Sequence, residues 1–168
     1  APPAGIHGVP AMSRASLGTS ASSVSTVSGS QSMKTFKQKK ILETGVDLFN
    51  RSPKRGIKFL LENGVIKELK PDMVAHFLLN TQNLDATVIG EYLGDMDPFN
   101  ISVMHAYADS MDMCGLNFDD AIRFYLKKFR LPGEAQKIDR IMEKFAQRFC
   151  ECNPGTFANA DTGYILGY

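Results

Sequence analysis

Residues 117–149, NFDDAIRFYLKKFRLPGEAQKIDRIMEKFAQRF, decide how this chain folds. Phe118, Ala121, Ile122, Tyr125, Leu126 and Phe129 recur at steps of three and four, which places them on one face of a helix. Asn117 stands before that face, where its side chain can accept from the first free backbone amides, and Asp119 and Asp120 occupy a first turn whose dipole favours carboxylates. A second stripe, Ile138, Ile141, Met142, Phe145 and Phe149, follows a break at Leu131-Pro132-Gly133. Proline and glycine there enforce a corner, and Asn153-Pro154-Gly155 stops the second helix. Each helix has one apolar face that must be covered by neighbours.

Working outward, the same period governs the rest. Leu42, Gly45, Val46 and Phe49 form a stripe that ends at Ser52-Pro53, a cap followed by a first-turn proline. Ile57, Leu60 and Leu61 make the next, stopped by Asn63-Gly64. Pro71 opens a third helix, with Val74, Phe77 and Leu78 inward. Asp85 starts a fourth, with Val88, Ile89, Tyr92 and Leu93 inward and Gly94 closing it. Asp97-Pro98 begins a fifth, carrying Phe99, Val103, Ala106 and Tyr107 and expected to end near Gly115. Asp161 is expected to lead into an eighth, beyond the two helices first described. No stretch sustains period-two alternation, and the connections are short, so the expected fold class is all-α, an array of short antiparallel helices.

The composition fits one domain with a proper core, at 168 residues, 43% hydrophobic and 22% charged. A formal net charge of +1 supplies no global field for nucleic acid or an anionic membrane. No apolar run approaches the roughly 18 to 20 residues that cross a bilayer. Residues 1–33 are mostly Ser, Ala, Gly, Pro and Val, too poor in apolar bulk to offset ordering entropy. They are expected to form a disordered linker or tail, with a docking or phosphorylation segment as the other reading. The folded part is expected over 34–168.

Several chemistries find no support. There is no phosphate-cradling glycine loop and no His-Glu-x-x-His pair. His7 falls in the tail, and His76 and His105 fall in helices, where a structural role is the default. Cys114, Cys150 and Cys152 form no framework, and the Cys-x-Cys spacing is too tight for an ordinary zinc knuckle, so reduced thiols are expected. Asn50-Arg51-Ser52 and Asn100-Ile101-Ser102 match the glycosylation pattern but are expected to be chance matches. Met73, Met111, Met113 and Met142 look like core or groove filler. No cofactor or metal is implied.

The corner offers one candidate. A tight Pro-Gly turn cannot be buried deeply, so Glu134 should project from its tip. On geometry alone, a carboxylate favoured by the helix dipole by about 0.3 to 1 kcal/mol accounts for it. Phe129 to Asp139, FRLPGEAQKID, nevertheless resembles the signature of the Sec-seven domain family, exchange factors for Arf-type GTPases. The likeness continues through Arg140 to Phe149, and upstream through Phe77-Leu78 and Gly90-Glu91-Tyr92-Leu93-Gly94. It covers essentially all of 34–168. Val103-Met104-His105-Ala106-Tyr107 and Asn159-Ala160-Asp161-Thr162 are most similar to the large Golgi-type members.

The resemblance implies a right-handed helical superhelix and a partner, an Arf-family small GTPase in its GDP-bound and nucleotide-free forms. It implies that Glu134 is the glutamic finger that enters the nucleotide site and disrupts magnesium and β-phosphate binding, with no covalent chemistry. Asp139 is implied to contact the GTPase; Arg130, Gln136 and the Lys127-Lys128 pair are near enough to assist, with a solvated basic helix end as the other reading for the lysines, and Met142 is expected among the GTPase-binding residues. It further implies a cytosolic protein recruited peripherally to Golgi or trans-Golgi membranes through regions outside this chain. Family members continue past the position of Tyr168 through helices that build much of the receiving groove. The chain is therefore expected to be a C-terminally truncated piece, and the alternative reading is an inactive interaction or scaffold module.

Overall fold

A computed structural model describes residues 27–156, with side chains described from residue 32, and every regular element among them is an α-helix. In order these are α1 (Val27–Arg51), α2 (Pro53–Glu62), α3 (Pro71–Asn80), α4 (Ala86–Gly94), α5 (Pro98–Asp109), α6 (Phe118–Tyr125) and α7 (Ala135–Cys152). The helix expected from Asp161 lies outside the described residues, as does most of the expected tail. At residues 27–33, however, the chain is already helical, so α1 starts before the change in composition at Met33-Lys34. Side chains 32–40 are all exposed, Met33 and Phe36 included.

Local signals explain most boundaries. Pro53, Pro71 and Pro98 each occupy a first helical turn, where the missing N–H costs nothing. Asp85 caps α4 by accepting from Thr87 N at 2.8 Å and Val88 N at 3.2 Å. Asn117 caps α6 by accepting from Asp120 N at 2.8 Å. Gly64 follows α2 in the left-handed region, with φ 71°, which a residue without Cβ adopts freely.

Two helices end sooner than their apolar period suggests. α5 stops at Asp109 rather than near Gly115, yet Met111 and Met113 remain buried. The loop after α5 reaches the core in irregular backbone, held by α7: Arg148 Nε donates to Met111 O at 3.2 Å, and Asn153 Nδ2 donates to Met113 O at 2.9 Å. α6 stops at Tyr125, and Phe129 returns to the same core through a turn, 3% exposed.

The helices pack through α5, which meets α3, α4 and α7, while α1 pairs with α2 and α6 with α7. Phe49, Leu60, Val74, Leu78, Leu93, Val103, Tyr107, Ile141 and Phe145 are essentially inaccessible and form one continuous core. An aromatic pile occupies the side nearest α7. Tyr125 lies 5.4 Å from Phe129 and 5.1 Å from Phe145, and Phe118 stands edge-on to Phe149 at 5.5 Å. Such pairs contribute about 0.5 to 1.5 kcal/mol beyond the area they bury. Lys144 is buried in this interface and bonds Asp109 Oδ1 at 2.7 Å, joining α7 to the end of α5.

Both glycosylation-pattern asparagines have structural partners. Asn50 Nδ2 donates to Asn83 O at 3.0 Å while its Oδ1 accepts from Asp85 N at 2.8 Å, which fixes the turn before α4. Asn100 is 3% exposed and donates to Tyr92 O at 3.0 Å. His76 and His105 face solvent from α3 and α5 instead of serving the interior. Among the described residues, no helix is long and apolar enough to cross a membrane.

Candidate functional site

Glu134 stands at the point where an irregular segment enters α7, and the segment is fixed before it gets there. Phe129 anchors one end, edge-on to Tyr107 at 5.7 Å and to Tyr125. Arg130 N then donates to Ala86 O at 2.9 Å, tying the segment to the first residue of α4. The Arg130 carbonyl rests directly on Gly90, where a Cβ would lie 1.7 Å from the oxygen. One turn on, a Cβ at Gly94 would meet Pro132 Cγ at 3.0 Å and Lys137 Cβ at 2.9 Å. Two glycines on one face of α4 therefore make a flat seat for backbone, and Pro132 is buried against it. Gly94 is more than a helix terminator.

Beyond the seat the chain turns outward. Gly133 has open space around it, and the Glu134 side chain is 73% exposed. Glu134 is the N-cap of α7, with φ −95° and ψ 127°. Its carbonyl accepts from Lys137 N at 3.0 Å and Ile138 N at 3.1 Å, but its carboxylate makes no capping hydrogen bond. A short polar side chain here would fold back onto the free amides. The longer glutamate stays exposed, its charge favoured by the positive helix end behind it.

The surrounding charges hold the corner without neutralising its tip. Lys137 Nζ lies 2.6 Å from Glu91 Oε2 on α4 and 3.8 Å from Glu134 Oε1. Its pKa is raised, first by the Glu91 hydrogen bond and further by the charges of Glu91, Glu134 and Asp95, against a desolvation that lowers it. The ammonium is thus committed to Glu91, and its looser pair with the exposed Glu134 leaves that carboxylate available. Arg140, one turn further, donates to Gly94 O and completes the clamp between α7 and α4. Beside it a groove of about 430 Å³ runs between α4 and the α1–α2 corner, lined by Arg51, Lys54, Glu91, Asp95 and Lys137 among others.

The other implied contact residues divide. Gln136 and Arg130 are exposed, and Asp139 is half-buried, following Gln136 at helical spacing on α7. Lys127 and Lys128 are exposed in the turn after α6. Met142 is a correction: it is 2% exposed and belongs to the core cluster, so it presents no surface to a partner here. Its side of α7 also carries Ile138 and Phe145, and core filling is its role. Sequence reasoning missed the seat itself, with Glu91–Lys137 and Arg140–Gly94. The only signal for it was a pair of glycines four residues apart in an otherwise helical stretch.

Comparison with known proteins agrees with this architecture. The Sec7 domain family model matches residues 38–168. The Arabidopsis thaliana protein named brefeldin A-inhibited guanine nucleotide-exchange protein 1 is 58% identical over 126 residues, which is 75% of this chain and 7% of that protein. The human protein of the same name is 54% identical over 134 residues, 79% of this chain and again 7% of the relative. Among solved structures, the Sec7p catalytic domain superposes with TM-score 0.75 at 47% identity, covering 76% of this chain and 70% of that one. A Sec7 domain bound to ARF1-GDP and brefeldin A gives 0.73 at 35%, covering 82% and 69%. The chain belongs to the Sec7 domain family. It spans about 7% of the length of these full-length relatives.

Proposed function

We propose that this chain carries the exchange element of a Sec7 domain, which promotes GDP release from an Arf-family small GTPase by inserting Glu134 beside the bound magnesium and β-phosphate. One observation carries the reading: an exposed carboxylate with no capping bond, at the end of a segment clamped to α4 through Arg130 and Pro132 and anchored in the aromatic core by Phe129. A rigid mount matters because a carboxylate acts on a partner only if its charge arrives in a fixed place.

The physics is direct. Mg²⁺ requires near-ideal octahedral oxygen coordination and bridges nucleotide phosphates to protein and water. An entering carboxylate perturbs that shell and faces the diphosphate with like charge. Two unit charges about 4 Å apart at an effective dielectric near 20 interact by roughly 4 kcal/mol. Felt at the transition state for release, that is about a thousandfold in rate. Catalysis also demands that the chain bind nucleotide-free GTPase more tightly than the GDP form. Gln136, Asp139 and Arg130 provide the polar surface around the finger for that preference. Support for the partner comes from membership in the family and from the related domain solved with ARF1-GDP. The relatives' names, brefeldin A-inhibited guanine nucleotide-exchange proteins, support the exchange activity, and the reading extends to Golgi-associated traffic.

Release of a fluorescent GDP from a magnesium-loaded Arf tests the reading. Addition of this chain is expected to accelerate release, and Asp139→Ala is expected to weaken the effect about tenfold through loss of a charged contact. Binding to nucleotide-free Arf with no acceleration would point instead to an interaction module.

A further inference from the structure

We propose that Asp112, Cys114 and Cys152 form a binding site for a thiophilic divalent cation of the zinc class, which joins the loop after α5 to the C-terminal end of α7. Asp112 and Cys114 stand two positions apart in the loop after α5, and Cys152, distant in sequence, is the last residue of α7. In the fold, one carboxylate oxygen and the two sulfurs lie within 4.8 Å of one another. Tetrahedral zinc, with Zn–S near 2.3 Å and Zn–O near 2.0 Å, holds such atoms about 3.5 to 3.8 Å apart. From 4.8 Å apart the ligands must therefore close by about 1.0 to 1.3 Å at most, a distance side-chain rotation supplies. Cys114 and Cys152 are thiols and not a disulfide, Cys114 exposed and Cys152 half-buried, so both sulfurs are open to a metal ion.

The backbones that carry them are fixed. Asn153, next to Cys152, donates to Met113 O at 2.9 Å and accepts from Gly115 N at 2.8 Å, so it grips the loop on both sides of Cys114. Arg148 Nε holds Met111 O, and Met111 and Met113 are buried on either side of Asp112. Asp112 Oδ1 accepts from Cys114 N at 3.0 Å, which keeps the carboxylate against the sulfurs. Two sulfurs and one oxygen select a soft cation over magnesium or calcium, and leave a fourth position for water. Binding releases the two thiol protons to solvent as the thiolates coordinate the ion. The site stands independently of the exchange function.

Cobalt(II) is the probe, titrated into the whole reduced 168-residue chain and then displaced by zinc. A thiolate-to-cobalt charge-transfer band is expected to saturate near about one equivalent, and zinc is expected to raise the melting temperature. Cys114→Ser and Cys152→Ser should each abolish the band and weaken binding at least about tenfold, whereas Asp112→Asn should keep the band and lower affinity. Cys150→Ser should change neither. Cys114 is exposed, so its replacement is expected to leave the fold intact, which helicity by circular dichroism checks. The proposal fails if the reduced chain shows no such band, or if the band survives in either cysteine variant. It fails equally if the only chemistry found is a Cys114–Cys152 disulfide on treatment with peroxide.

Discussion

At the scale of single residues, the site depends on one side chain that is present and on one that is missing. Glu134 is legible in the sequence itself, because Pro132-Gly133 forces a corner and the residue after a corner is exposed. Gly90 is not, since its role is defined by Arg130, which is distant in sequence and meets it only in the fold. Alanine at Gly90 should improve helix propensity by about 1 kcal/mol. Its methyl would however stand where the Arg130 carbonyl now lies, and backbone cannot step aside as a side chain tip does. We expect Gly90→Ala to lower unfolding free energy by about 1 to 3 kcal/mol in a denaturant titration. An unchanged or higher midpoint would mean that the segment does not rest on α4.

Helices show the same division between local and distant causes. α3 and α4 match their expected starts because Pro71 and Asp85 act on neighbouring backbone. The end of α5 differs from expectation because Met111 and Met113 prolong the apolar period after the helix has stopped, and burial in loops mimics helical spacing. The stripe through Phe129 misleads in the same way beyond Tyr125. The start of α1 is hidden because residues 32–40 are exposed and offer no buried apolar stripe to read. Asp85 permits a test of capping. Hydrogen bonds from Thr87 N and Val88 N lower its pKa below the ordinary 3.8. A depressed carboxylate stabilises the fold above its unfolded pKa, and loses that contribution as pH falls through the folded value. Melting temperatures of the native chain and of Asp85→Ala should therefore differ near neutral pH and converge between about pH 5 and pH 2. A gap that persists at the acid end would show that the charge plays no part.

Across the whole molecule, the array exists to hold α7 against α4 and α5. The aromatic pile, the Lys144–Asp109 bond and the Glu91–Lys137 and Arg140–Gly94 contacts all converge on α7, the helix whose first turn presents Glu134. The all-α class follows from periodicity, because every stripe has to be covered by another. That Met142 turns inward follows from the same periodicity and suits its reading as core filler, although it is also expected among the contact residues. The convergence also predicts that charge at the tip can be changed without cost to the fold, since the Glu134 carboxylate has only a loose ion pair with Lys137. The decisive measurement is therefore the rate of GDP release from magnesium-loaded Arf with the native chain and with Glu134→Lys, helicity being followed in parallel. The expected result is native-like helicity and a loss of acceleration by about two to three orders of magnitude. Full acceleration by the lysine variant would contradict the role given to Glu134.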